Sequence, residues 1–363
     1  MKKHTFLISL LLFVTPHIQA AEFCATTSGQ LQSALSSAQS NNQHDVIKVA
    51  EGSYPTTGSE FSYTESAGWD LEISGGWTDF FGNPCGQQLS GNPFNTVLDG
   101  NNSARIMHIR SSGNSDITIS NLSFINGGTA NLSTAGGLRF YPTNTASHTG
   151  QVIIERNAFI NNHAQTASAL SFFSSGINSH IRNNVFTLNT AHNGSYSITI
   201  DQDLNSGIYF TNNTLVQNSG DSTNDIGGFV LFTRSSSSAY IGNNVLYDNG
   251  NRDLHLSGTG DVWLHYNDVG IRTGVAPFSN LGNFSADPEF NTGILEFTPS
   301  YGSPLVNAGY DPPSFVPIPT PFELAWFEGT LDLLGNTRKQ QGKVDLGAIE
   351  TSAEPPIFMD GFD

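Results

Sequence analysis

Asp201 and Asp203 alternate with other residues along a short run, so in an extended strand both carboxylates project from one face. Such a pair can hold Ca²⁺ or do acid–base work on a glycosidic bond. Isolated aspartates are also common as solvated surface charges, which is the competing reading. Four short runs share a period-2 pattern: Gly136-Gly-Leu-Arg-Phe140, Ser168-Ala-Leu-Ser-Phe172, Tyr196-Ser-Ile-Thr-Ile200 and Gly227-Gly-Phe-Val-Leu231. Aligning them turns Leu138, Leu170, Ile198 and Phe229 inward, with Phe140, Phe172, Ile200 and Leu231 inward two residues later. One outward column then reads Arg139, Ser171, Thr199, Val230. The next reads Tyr141, Phe173, Asp201, Phe232, and the third Thr143, Ser175, Asp203, Arg234.

Arg139, Tyr141, Phe173, Asp201, Asp203, Phe232 and Arg234 are therefore the candidate ligand-binding residues. Aromatic faces stack on pyranose rings, while carboxylates and guanidinium groups bond their hydroxyls. The alternative is that these strand ends turn into loops, where the aromatics only cover a corner. His108, His163, His180, His192, His255 and His265 fall at unrelated offsets and read as packed or solvated side chains. Nucleophile-elbow, zinc-protease, phosphate-loop and dinucleotide fingerprints are absent. No catalytic residue and no metal ligand is assigned. No cofactor is expected, Ca²⁺ at the two aspartates being the one the pattern admits.

A repeat must position these side chains. Ile119–Asn126, Ile154–Asn162, Ile181–Asn189, Phe210–Asn218 and Ile241–Asn249 share one pattern, with a weaker sixth copy at Leu264–Val269. Their large apolar anchors, Phe124, Phe159, Phe186, Leu215 and Leu246, are separated by 35, 27, 29 and 31 residues. A period near 30 with several short strands is one coil of a β-solenoid, whose coils bury their apolar faces by stacking. A propeller blade needs more residues than these steps supply. Asn157, Asn184, Asn213 and Asn244 recur at one position and Asn162, Asn189, Asn218 and Asn249 at another. Asn tolerates left-handed backbone angles at a bend, and stacked copies can form a hydrogen-bonded ladder.

The fold expected is all-β, a right-handed parallel β-helix with an N-terminal capping α-helix. Residues 1–20 read as a secretory signal: Lys2 and Lys3, an apolar Phe6–Val14 stretch, Pro16, and a small-residue exit at Ala20 and Ala21. Residues 21–44 form the cap, with Leu31, Ala34, Leu35 and Ala38 on one face of a helix spanning Ser28–Asn41 and Thr27 or Ser28 as its N-cap. The β-helix occupies 45–284, opening with the strand Asp45–Val49 and a turn at Glu51–Tyr54 and continuing through Leu71–Trp77 and Thr96–Asp99. Residues 285–350 form a C-terminal region, and 351–363 a tail. Within that region Asp311–Phe322 is a proline-rich surface loop, Trp326 and Phe327 pack back on the far end, and Val344–Ile349 is a last strand. Cys24 and Cys85 are the only cysteines, and in an oxidising compartment they form one disulfide closing a loop of about 60 residues. The chain-entropy model values such a bridge at about 4 kcal/mol. Two free thiols are the alternative.

The capping helix followed by Asp45–Tyr54, the Phe159–Asn162 and Phe186–Asn189 units and the Gly-Gly-initiated strands resemble pectin-lyase-like β-helix proteins. In particular the repeats resemble those of the polymorphic outer-membrane adhesins. Ser285–Phe290, Ser303–Gly309, Leu333–Arg338 and Val344–Glu350 are similar to the choice-of-anchor Q region of bacterial secreted β-helix proteins, and Ile357–Asp363 to a tail found on secreted gammaproteobacterial proteins. The resemblance implies a right-handed helix and a secreted, extracellular or outer-surface address. Polyuronate lyases of this fold use an Arg or Lys base near several calcium-binding acids, and its pectin hydrolases an Asp-Asp pair with a nearby His. Neither set is found here.

Removing Lys2 and Lys3 leaves 12 basic residues against 31 acidic ones, a net charge of −19. Such a chain is repelled by nucleic acid and anionic lipid, and by polyanions wherever no local basic patch intervenes. No later stretch is long and apolar enough for a transmembrane helix. The expected function is non-enzymatic binding of a polysaccharide or cell-surface component, adhesin-like in character. The alternatives are a polysaccharide lyase or glycoside hydrolase with a divergent site, and a structural envelope or matrix component.

Overall fold

The computed structural model describes residues 20–351 apart from 90, 113, 144–149, 204, 222–224, 293–295, 311–330 and 341. Residues 1–19 of the expected signal segment, the expected proline-rich loop, Trp326 and Phe327, and the residues beyond 351 lie outside the described residues.

Each coil contributes one short strand to each of three parallel sheets, and the chain advances one strand position per turn of a right-handed β-helix. The first sheet runs from Ala21–Ala25 through Gln151–Glu155, Asn178–Arg182 and Gly207–Thr211 to Ser279–Leu281. The second runs from Gly52–Pro55 through Ala158–Ile160 and Val185–Thr187 to Asp268–Val269. The third runs from Phe61–Thr64 through Leu138–Pro142, Leu170–Ser174, Ile198–Gln202 and Phe229–Thr233 to Arg272–Gly274. Phe124, Phe159 and Phe186 stack in the interior with ring centroids 4.7 Å apart, and Phe140 stacks on Phe172 at 4.9 Å. These rings are fully buried, so each coil supplies the apolar floor on which the next is laid. The Gly pairs that open third-sheet strands have a steric cause. A Cβ on Gly137 would collide with the Ala169 carbonyl oxygen of the next coil, and one on Gly228 with that of Arg252.

Asparagine ladders hold the bends. At the turn from first to second sheet, Asn157 donates its backbone N–H and its side-chain Nδ2 to Asn184 Oδ1, at 2.9 and 3.2 Å. Asn184 does the same to Asn213, Asn213 to Asn244, and Asn244 to Asn267. Each Nδ2 also donates across the bend to a strand carbonyl, such as Asn213 to Ile181 O at 2.8 Å. The second ladder links Asn162, Asn189, Asn218 and Asn249 in the same manner and terminates on the Asp253 carboxylate. The left-handed backbone angles fall one residue earlier than the ladder positions, at Arg156, Asn183, Asn212 and Asn243, and at Asn161, Leu188, Gln217 and Asp248. That corrects the expected role of the ladder asparagines: they fill the bend with hydrogen bonds, and the preceding residue takes the strained angle. Arg156, Leu188 and Gln217 do so at a cost of about 1–2 kcal/mol each.

The capping helix α1, Ser28–Ala38, closes the N-terminal end, with Thr27 as N-cap accepting from Gln30 N and Leu31, Ala34, Leu35 and Ala38 buried. Cys24 and Cys85 are disulfide-bonded, tying the first strand to the antiparallel strand Asn83–Gln88. Two expected elements differ. The expected turn at Glu51–Tyr54 is instead the strand Gly52–Pro55, because Tyr54 occupies the interior column of Leu98 and Phe124. Its hydroxyl donates to Ala25 O and Ala50 O. The expected strand Val344–Ile349 is irregular chain laid over the outer face of the second sheet. Leu346 and Ala348 pack there with Val185, Val216 and Val245. Its backbone is satisfied by single contacts, Ala348 N to Thr214 Oγ1 and Gly347 N to Asn243 O, and by the buried Arg338–Glu350 ion pair beneath it. Among the described residues no helix is long and apolar enough to cross a membrane.

Two stability experiments follow from this packing. Asn213→Ala leaves the buried Asn184 N–H without its acceptor and removes a bond to the Ile181 carbonyl, and is expected to cost about 2–4 kcal/mol in denaturant unfolding. Asp268 is fully buried with Oδ2 unpartnered, and burial pushes its carboxyl up to about 7. A raised carboxyl favours the folded state at low pH and loses that advantage as pH rises from about 4 to about 7. Asp268→Asn should therefore match the parent near pH 4 and exceed it near pH 8, by at most about 4 kcal/mol. A pH-independent difference would contradict this.

Candidate ligand-binding face

The third sheet presents an outer face on which side chains about 30 residues apart in sequence become neighbours. Pairing sets Arg139 beside His108 on one side and Ser171 on the other, and Ser171 is followed by Thr199 and Val230. In the adjoining column Tyr141 lies beside Arg110, and Phe173 is followed by Asp201 and Phe232. Tyr141 and Phe173 stack with centroids 4.9 Å apart, and the Arg139 guanidinium lies 5.7 Å from the Tyr141 ring. Phe232 is 40% exposed, a large ring held open to solvent.

At the C-terminal end of this line, Arg234 Nε lies 3.0 Å from Asp203 Oδ1. Asp201, Phe232, Thr233, Arg234 and Gly258 line a shallow hollow of about 290 Å³. Burial raises the Asp201 carboxyl above its ordinary range, with Arg234 opposing and Asp203 reinforcing the shift. Asp203 thus meets a cation that the chain itself supplies, and among the described residues no cluster of three or more metal-binding side chains occurs.

Two of the outward positions differ from expectation. Ser175 is 3% exposed rather than solvent-facing. Val230 is 1% exposed, because Tyr196 and Ile226 fold over it, with Tyr196 stacked on His255 and bonded by Arg252. The sheet face is therefore covered at that point, and the open strip runs along the Tyr141 column.

Sequence reasoning missed the N-terminal half of the face. Glu60 accepts from Arg105 Nη1 at 2.6 Å and lies 3.2 Å from His108 Nδ1. Burial acts to raise the Glu60 carboxyl, but the His108 hydrogen bond and the Arg105 charge outweigh it and leave it below its ordinary value. Glu60 also borders a groove of about 500 Å³ between α1 and the third sheet, with Gln32, Ser36 and Phe61 on its walls. Among the described residues neither Arg110 nor Arg139 has a carboxylate partner. Arg105, Arg110, Arg139, Arg234, Arg252 and Arg272 all lie on or beside this sheet, half of the 12 basic residues that follow Lys3. The chain is acidic, but this face concentrates its cations.

The first sheet carries an unforeseen outward column, His180, Tyr209, Tyr240 and Trp263. His180 stacks on Tyr209 at 4.4 Å, and Tyr310 packs against the tyrosines and Trp263. Tyr209, Tyr240 and Trp263 are 6%, 2% and 5% exposed, so the column serves as packing surface. In comparisons with protein-family models, curated proteins and solved structures, none matches the chain.

The open strip is expected to be dispensable to the fold. Arg139→Ala and Arg234→Ala should each change unfolding free energy by less than about 1 kcal/mol, whereas Phe172→Ala, directed inward from the same sheet, should cost about 3–5 kcal/mol. Equal losses in the two classes would show that the face is structural.

Proposed function

We propose that this is a secreted or cell-surface β-helix protein that binds an extended glycan along the outer face of its third sheet, without cleaving it. The reading rests on one observation above the others: the Tyr141–Phe173 stack continues in line to Asp201 and the exposed Phe232, with arginines on both sides. Successive coils present side chains every ~4.8 Å, close to the length of one sugar unit in an extended chain. The outer edges of the stacked Tyr141–Phe173 pair and the open Phe232 ring can contact the apolar faces of successive sugars, while Arg139, Asp201, Asp203 and Arg234 bond their hydroxyls. The pectin-lyase-like and adhesin-like resemblance of the repeats, and the signal-like residues 1–20, support the same assignment and its extracellular address.

A carbohydrate-active enzyme is the second reading, and it draws on the Glu60–His108 contact. A His108 whose Nδ1–H donates to the Glu60 carboxylate presents an unprotonated Nε2 as a base beside Arg139.

A glycan-array screen of the mature protein, with mass spectrometry of the bound chains, separates the two. Binding without shortened products, weakened at least about tenfold in the double variant Tyr141→Ala and Phe173→Ala, is the expected result. Shortened or unsaturated products that vanish in His108→Ala would establish the enzyme instead. Absence of any glycan binding would overturn both and leave a structural role.

A further inference from the structure

A second constellation lies where the chain leaves the second sheet. His163 follows the ladder residue Asn162 and opens the short strand His163–Ala164, which pairs in parallel with Thr190–Ala191 of the next coil. His192 comes directly after that partner strand. Stacking of the coils brings the two imidazoles together, with ring centroids 5.5 Å apart and planes inclined by 27°. His163 Nδ1 lies 3.3 Å from His192 Nε2.

The other nitrogen of His163 is already committed. Its Nε2 lies 3.2 Å from Asn161 Oδ1, an atom that can only accept, so Nε2 carries the proton and Nδ1 turns its lone pair toward His192. Asn161 is held in turn, its Nδ2 donating to Asn126 Oδ1 at 2.7 Å, and Asn126 Nδ2 donating to Asp99 Oδ1 at 3.3 Å. A line of hydrogen bonds across successive coils therefore fixes one tautomer of His163.

We infer that His163 Nδ1 and His192 Nε2 form a binding site for a divalent transition-metal cation of the zinc type. Two nitrogens bound to tetrahedral zinc at ~2.0–2.1 Å stand about 3.3 Å apart, the separation already present here. Imidazole suits zinc and copper, and a hydrogen-bonded outer partner such as Asn161 is the usual means of orienting a ligating histidine. No third His, Cys, Asp or Glu among the described residues joins the pair. Water completes the coordination, and both rings are only half-buried, which leaves room for it. The cation joins two coils whose histidines are 29 residues apart, adding a cross-link at the bend between the second and third sheets.

Calorimetric titration of the full mature chain with Zn²⁺ alone, near neutral pH, tests the site. One equivalent should bind, with affinity lowered at least about tenfold in His163→Gln and in His192→Gln, and about tenfold in Asn161→Ala. Zinc uptake unchanged in both histidine variants, or no uptake by the parent chain, would overturn the assignment. Should the variants fail to fold, electron paramagnetic resonance of the parent chain with one equivalent of Cu²⁺ decides: two imidazole nitrogens on the copper support the site, and one or none refutes it.

Discussion

The buried asparagine ladders are the interaction on which this molecule depends. A β-helix must turn its chain at each corner, and a turn taken in the interior strands backbone donors and acceptors away from water. Here one residue type repairs the same corner in coil after coil. The Asn157, Asn184, Asn213 and Asn244 side chains accept from the coil before and donate to the coil after. The interaction is cooperative in a literal sense, since each amide is polarised by its neighbours on both sides. It also fixes coil-to-coil register, because a slip of one residue would replace an amide with an apolar or charged side chain in a sealed site.

Register is what converts a repetitive chain into a surface with chemistry. From Leu122 to Asn267 the ladder steps vary from 23 to 35 residues, and the variation is absorbed in loops outside the ladders. Because the corners stay aligned, Tyr141, Phe173, Asp201 and Phe232 come into one line although nothing in the local sequence of any one of them requires it. The same alignment concentrates arginines on the third sheet of an otherwise acidic chain. The other two outer faces are put to different use: the second is covered by Leu346, Ala348 and Leu333, and the first carries a buried aromatic column. Only the third sheet keeps a strip of large side chains open along the helix axis, among the described residues. That contrast is why ligand binding is assigned to it.

Much of this was legible in the sequence, and the exceptions have physical reasons. The interior columns and the capping helix can be read from periodicity and spacing, because burial constrains residue type strongly, and the disulfide from there being only two cysteines to pair. The backbone angles could not be read, since the left-handed residue precedes the asparagine and varies from Arg156 to Leu188 to Asp248. Tyr54 looked like a turn residue because Gly52 and Ser53 precede it, and only the coil above shows that its ring belongs inside. Glu60 and Arg110 escaped notice, and His108 read only as a packed or solvated side chain, because Phe61–Thr64 and Met107–Ser111 lack the small-residue opening that marks later coils. His163 and His192 are separated by 29 residues where the local coil step is 27, so alignment by register does not bring them together; their side chains meet by leaning across it. The column of His180, Tyr209, Tyr240 and Trp263 lies one residue before each repeat and went unread, because only His180 of the four was noticed and it stood as an isolated packed or solvated side chain.

Native-state hydrogen exchange resolved to single amides addresses the central claim most directly. If the ladders hold the coils in register, the amides of Asn184, Asn213, Asn189 and Asn218, which donate to buried side-chain oxygens, exchange only through global unfolding and share one protection free energy. Exchange of those amides through local opening, at rates like those of the exposed turn residues, would contradict the account.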